Sequence, residues 1–456
     1  MDPSAPRPSR THIVLIPGFG GFDALGYMRY YAGITPVLRD WRVEERDDPR
    51  RAGAVVHYFD NLPTASVTTR AERLRRYLAK RVARNEIQPD DTIALVGHST
   101  GGLDIRALLW TLADAPRAVC RVDGDAEDAV EVRNEEVLGR VRRVVFLSVP
   151  QEGTNIADWV HGHPGPRSLA TSALGSAFEA SRVRRETSFR QALFSSVSKL
   201  ADADLLRAME DALRESDEAS FAGKPAEAAS AREAFAYLWL WTRNIASDFS
   251  AIEDLMCGPA EGGAARFVFS YKERRQKEKE LWERHGIATR SYATLGYCPY
   301  EPEVLRKRGA LTWWNPTTYP EVGLAPGAQA RTDWVYRFCY RACTGGPFEM
   351  APGPGTATPF GTQSTRTLEA WENDGIVNTA SMLWPDGVDT RLVEGDHADI
   401  IGHYRTVQVA PSGGGDAADA PVGRRYHTYD LLRSGSDFGH DRFVAVWRDV
   451  LTFCVT

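Results

Sequence analysis

Residues 92–103 read Thr-Ile-Ala-Leu-Val-Gly-His-Ser-Thr-Gly-Gly-Leu. The apolar, partly β-branched run from Ile93 to Val96 breaks at Gly97, sets Ser99 at the break, and resumes through Gly101 into Leu103-Asp104-Ile105-Arg106-Ala107-Leu108-Leu109. This spacing predicts a strand, a very tight turn and a helix, the setting in which G-x-S-x-G exposes a nucleophilic serine. Glycines at 97 and 101 fit a turn too close for side chains, and the serine itself is expected in strained backbone geometry. The helix that follows would add backbone N–H groups and a partial positive charge beside the hydroxyl.

Outward from this turn, strand and helix signals alternate. Residues 11–16 form the first expected strand, ending in Pro17-Gly18-Phe19-Gly20-Gly21, and residues 54–59 form the second. Residues 68–84 carry Leu74, Tyr77, Leu78 and Val82 at helical spacing, and a further strand is expected over 141–148. Such alternation calls for an α/β fold with a mostly parallel sheet covered by helices on both faces.

From about 155 to 285 strand signals give way to Ala-, Leu-, Arg- and Glu-rich helical segments, read as a cap inserted into the sheet domain. Its aromatic run at 233–241 is taken as packed core, and the charge-rich stretch 272–283 as the solvated face of a helix. The sheet resumes at 287–295, a Trp-, Pro- and Gly-rich excursion covers about 298–368, and a late strand at 390–394 leads to Gly395-Asp396-His397. A closing helix is expected at about 442–453, and residues 408–424 read as a surface loop. The organisation expected is a core from 1–154, a cap at 155–285 and the rest of the core at 286–456.

Composition excludes several functions. A net charge of −6 over 456 residues gives no case for nucleic-acid binding. No apolar run is long enough to span a membrane. The first ten residues lack the apolar core of a secretory signal, which reads as a cytoplasmic protein, or a secreted one whose signal has been removed. The cysteines at 120, 257, 298, 339, 343 and 454 show no metal-type pair and are expected as free, mostly buried thiols.

A serine hydroxyl needs an adjacent base, itself oriented by a carboxylate. In this architecture the order along the chain is serine, acid, histidine. His12 and His57 precede the serine, His98 is read as structural beside it, and His161 and His163 as surface residues. His397 follows the late strand and is the expected base, with His440 its rival and His403 and His427 in the intervening loop. Asp374, in the turn sequence Asn373-Asp374-Gly375, is the expected acid, with Asp386 and Asp389 as fallbacks. Two N–H donors for an oxyanion are assigned to Thr100, next to the serine, and Phe19, in the glycine-rich turn.

With these residues placed, the chain resembles the large bacterial lipases of the thermoalkaliphilic Bacillus-type and staphylococcal group, within the α/β-hydrolase superfamily. The likeness rests on residues 17–21, 97–102, 372–382 and 396–402, and more weakly on 144–154. It implies an α/β-hydrolase fold with a helical cap, Ser99, Asp374 and His397 as the triad, and the Phe19 and Thr100 N–H groups as the oxyanion hole. It disfavours His440. The sequence departs from the family at Pro17 and at Gln151, where histidines are usual. The family's zinc site uses paired histidines after the second strand, and residues 60–90 contain none. Its calcium site follows the catalytic histidine; Asp399 matches one ligand, but the later acidic position is Tyr404. No metal or other cofactor is therefore expected. The activity expected is hydrolysis of carboxylic esters, from small molecules, lipids or polymers, with polyester depolymerase or acyltransferase as the alternatives on the same triad. Oligomeric state is not legible.

Overall fold

The computed structural model describes residues 9–21, 24–25, 28–44, 48–122, 130–161, 250–257, 271–306, 323–344, 355–384, 390–405 and 430–456. An eight-stranded sheet runs through them. Its strands are β1 (Thr11–Ile16), β2 (Ala54–Tyr58), β3 (Thr92–His98), β4 (Val141–Leu147), β5 (Ala288–Leu295), β6 (Gly355–Pro359), β7 (Arg366–Leu368) and β8 (Thr390–Glu394). Their order is β7-β6-β8-β5-β4-β3-β1-β2. Every neighbouring pair is parallel except β6 with β7.

Alternate side chains along each central strand enter opposite cores, as a two-residue period requires. Val14, Ile16, Ile93, Leu95, Val144 and Phe146 pack on one face with Leu74, Leu78, Leu103 and Leu109. Ile13, Leu15, Ala94, Val96, Val145 and Leu147 pack on the other with Trp41, Phe443, Trp447 and Leu451. The first layer is supplied by α2 (Val67–Ala83) and α3 (Thr100–Asp114), the second by α1 (Ile34–Glu44) and α7 (His440–Val455). Two-sided burial is why β3 and β4 read as nearly unbroken apolar runs. In α7, Phe443, Val446, Trp447, Val450 and Leu451 are buried at helical spacing, each worth about 2 kcal/mol of apolar burial.

The strand order reverses at β1, which lies between β2 and β3. In open parallel sheets, the crevice beyond the strands' C-terminal ends at such a reversal is where ligands bind. Here the last register pair, Ile16 with Gly97, delivers Pro17 and His98 side by side into that crevice.

Several elements differ from expectation. The strands Gly355–Pro359 and Arg366–Leu368 lie inside the Trp-, Pro- and Gly-rich excursion, and Val119–Val122 pairs with Val130–Arg133 in a separate hairpin. All are three to five residues long, too short for a periodic pattern to mark them. The closing helix begins at His440 rather than about 442. Within 155–285, the described parts are helical: α4 (Asn155–His161), Ser250–Asp254 and α5 (Tyr271–Arg284). The run at 233–241 and the loop at 408–424 lie outside the described residues. α5 is more than a solvated face, because Glu278 is buried against Arg106 of α3 at 2.9 Å and Trp282 packs against Phe146 and Trp384. Cys339 and Cys343 share the helix α6 (Trp334–Thr344), and the cysteines are free.

His12 and His57 join a buried polar group. His12 Nδ1 lies 2.8 Å from His57 Nε2, and its Nε2 lies 3.2 Å from Asp91 Oδ2. Burial, then Arg81 and His12, push the His57 pKa down to about 4. The folded state therefore binds fewer protons than the unfolded chain between about pH 6.5 and the folded value. Stability is expected to fall as pH drops through this window and to level off below it. Urea unfolding of wild type against His57→Gln across acid pH should show a flatter dependence in the variant.

Candidate active site

The chain crosses from β3 into α3 through Ser99, whose φ of 53° and ψ of −132° are a strained combination for a residue with a side chain. Close packing imposes it. A Cβ at Gly97 would stand 2.6 Å from the Gly102 nitrogen, and one at Gly101 would stand 2.5 Å from the Ile16 carbonyl oxygen. The Ser99 N–H donates to Leu147 O of the neighbouring strand at 2.9 Å. Thr100 opens α3, so its N–H belongs to the first turn, whose donors have no acceptor inside the helix.

The turn after β1 lies directly against this serine, since a Cβ at Gly18 would be 2.5 Å from Ser99 Cβ. A buried guanidinium holds the turn from behind. Arg70 of α2 donates to the carbonyls of Pro17 at 2.7 Å and Gly18 at 3.2 Å, and to Leu62 O at 2.6 Å. Its charge is met by Asp104 of α3 at 2.9 Å, which also accepts from Asn61. Peptide groups are planar and trans, so a Gly18 carbonyl aimed at Arg70 turns the Phe19 N–H to the opposite side. Asp104 has its pKa raised to about 6, because burial outweighs the opposing pull of Arg70.

Asp374 and His397 meet. His397 Nδ1 lies 2.7 Å from Asp374 Oδ2, and the His397 backbone N–H donates to Asp374 O at 3.1 Å. The carboxylate is fully buried and closed by other donors. Oδ1 accepts the N–H groups of Ile376 at 3.0 Å and Val377 at 2.8 Å, and Oδ2 accepts the Thr294 hydroxyl at 2.5 Å. The turn sequence Asn373-Asp374-Gly375 thus forms an Asx turn, and the same carboxylate bonds the imidazole. Thr294 in turn lies 2.8 Å from Ser148 Oγ, on a residue held at φ 51°.

His397 is brought to the serine turn through residue 98. The two imidazole centroids are 4.6 Å apart, and His98 Nε2 lies 2.9 Å from His397 O. The loop bearing His397 is shaped by Asp396, which accepts the Ala398 N–H at 2.8 Å and the Ser434 hydroxyl at 2.6 Å. Asp399 accepts the Asp396 N–H at 2.8 Å and the Ser436 hydroxyl at 2.7 Å. Burial pushes both carboxyls upward, and their mutual repulsion adds to it at Asp399.

The rival histidines are engaged elsewhere. His440 faces the Tyr404 hydroxyl at 2.8 Å, and His403 Nε2 bonds Tyr30 O at 3.0 Å. His163, His427, Asp386, Asp389 and the side chain of His161 lie outside the described residues. Gln151 bonds the Arg106 guanidinium at 3.1 Å. Among the described residues no group of three or more His, Cys, Asp or Glu side chains is arranged to hold a metal ion, and no described helix is long and apolar enough to cross a membrane.

Sequence reading missed Tyr30, Arg70, Asp104 and Thr294. One signal was present for Arg70, which interrupts the apolar stripe Val67, Ala71, Leu74, Leu78 on the inner side of α2.

No protein-family model and no curated protein matches the chain. Among solved structures, it is similar to EstA from Clostridium botulinum, at 14% identity and a TM-score of 0.36 over 86% of this chain and 83% of that one. It is also similar to the mature form of the lipase BlEst2 from Bacillus licheniformis, at 12% identity and a TM-score of 0.36 over 87% and 89%. A third similarity is to lipase 1 from Pelosinus fermentans, at 15% identity and a TM-score of 0.32 over 87% and 94%.

Proposed function

We propose that this chain is a serine hydrolase of carboxylic esters with apolar acyl groups. The observation that carries the reading is the 2.7 Å bond between His397 Nδ1 and the buried Asp374 carboxylate, on a loop tied to the residue beside Ser99. A carboxylate at Nδ1 leaves Nε2 as the basic nitrogen of a neutral imidazole. In this mechanism Nε2 takes the Ser99 proton as Oγ attacks the ester carbonyl. The imidazolium formed is stabilised by Asp374, and the N–H groups of Phe19 and Thr100 receive the oxyanion. The tetrahedral intermediate collapses, His397 returns the proton to the departing alkoxide, and an acyl-Ser99 ester remains. Water, deprotonated by His397, then releases the acid and restores the serine.

The test is a series of p-nitrophenyl esters of increasing acyl length beside an emulsified triglyceride, with mass-spectrometric mapping of a fluorophosphonate probe. Expected are turnover of the soluble esters and a single label at Ser99. Absence of turnover for every acyl substrate, with Ser99 unlabelled, overturns the reading. Added alcohol tests acyl transfer: an ester product formed in preference to the acid would replace hydrolase with acyltransferase.

A further inference from the structure

Two buried side chains with no part in that mechanism join both halves of the site. Tyr30 Oη lies 2.8 Å from the Gly18 backbone nitrogen and 2.6 Å from His98 Nδ1, while His98 Nε2 lies 2.9 Å from the His397 carbonyl oxygen. With the His98 ring neutral, one arrangement of protons satisfies these three contacts. The Gly18 N–H can only donate, so Tyr30 Oη accepts it. The His397 carbonyl can only accept, so His98 carries its proton on Nε2. Nδ1 of the neutral ring is then the acceptor, and the Tyr30 hydroxyl donates to it. The direction is fixed from Gly18 through Tyr30 to His98 and on to His397.

We propose that Tyr30 and His98 are positioning residues of this site, carrying a one-way hydrogen-bond chain that ties the turn bearing Phe19 to the backbone of the proposed catalytic histidine. The inference rests on the reading of Ser99 and His397 given above and deepens it. The chain does two things. It clamps the Pro17–Gly18 peptide by its N–H while Arg70 holds the carbonyl of the same peptide from behind. It also keeps the ring tilted against His397 uncharged, so that His397 can become an imidazolium without a second cation 4.6 Å away.

The surroundings favour that state. Burial first, then the neighbouring His397, push the His98 pKa well below the usual histidine range, and burial pushes the Tyr30 phenol up. His98 is faced by Tyr30, His397 and His403; Tyr31 bonds Ile16 O alongside, and the Arg70–Asp104 pair lies beyond Tyr30. A free Nδ1, as left by Tyr30→Phe, gives His98 a place to bind a proton.

The experiment combines kinetics with nitrogen-15 NMR of the histidines in the full chain. In wild type, His98 should appear as the neutral Nε2–H tautomer, unchanged from about pH 5 to about pH 8. Tyr30→Phe should lower kcat about 10- to 100-fold with KM within about threefold, and His98 should begin to titrate. His98→Gln, whose amide reaches the His397 carbonyl, should keep about tenfold more activity than His98→Asn, which reaches only toward Tyr30. A wild-type His98 that titrates in this range, or carries its proton on Nδ1, overturns the proposal without reference to activity. So does a folded Tyr30→Phe with wild-type kcat. Failure of the hydrolase reading itself would look different: no ester turned over and Ser99 unlabelled in wild type, with the His98 tautomer still as stated.

Discussion

Ser99→Ala is expected to lower p-nitrophenyl ester turnover by at least about 10⁴-fold while leaving the urea unfolding midpoint where it is in wild type. Without Oγ no acyl-enzyme forms. His397→Gln should cost a comparable factor, and the double variant little more, because the groups act as one unit. Stability separates the chemical role of the side chain from the strain of its backbone. Alanine at 99 keeps a Cβ at φ 53° and relieves nothing, whereas glycine tolerates that conformation. Ser99→Gly should therefore be as inactive as Ser99→Ala yet more stable, by about 1 kcal/mol in urea titration. A serine strained to present its hydroxyl requires this pattern. Turnover by Ser99→Ala above a tenth of wild type would place the nucleophile elsewhere.

The central sheet was legible because β1, β3 and β4 are buried on both faces, which forces long apolar runs into the sequence. The Ser99 turn was legible because the close approach of Gly97 to Gly102 and of Gly101 to Ile16 excludes side chains. Asp374 and His397 were singled out by chain order and by their places in loops near late strands, and the structure brings these two side chains together. Tyr30 was not, because its contacts exist only where the β1 turn and residue 98 converge. Thr294 sits in a strand where threonine is ordinary, and nothing local marks its hydroxyl for a carboxylate many residues away. Glu278 was hidden among the charges of α5, its partner Arg106 lying on a helix far back in the chain. Edge strands such as Arg366–Leu368 lack the two-sided burial that would have written a pattern into them.

Arg70→Met is the second large effect expected, and it falls on stability and catalysis together. Arg70 and Asp104 are fully buried, and the guanidinium also carries carbonyl contacts to Pro17, Gly18 and Leu62. Removing it strands a carboxylate whose burial already raises its pKa to about 6, and takes a donor from the carbonyls of Pro17, Gly18, Leu62 and Pro63. The cost should be about 3–5 kcal/mol in urea unfolding, the range for breaking a buried pair from one side. It should also lower kcat by about 10²-fold, because the Gly18 peptide loses the contact that turns the Phe19 N–H away from α2. The double variant Arg70→Met/Asp104→Leu distinguishes the two. Replacing both charges with apolar groups removes the stranded carboxylate and should recover most of the stability. It cannot recover the contacts to Pro17 and Gly18, so kcat should stay low. Recovery of both would mean that the ion pair serves folding alone, and that the turn holds its geometry through Tyr30 without help from α2.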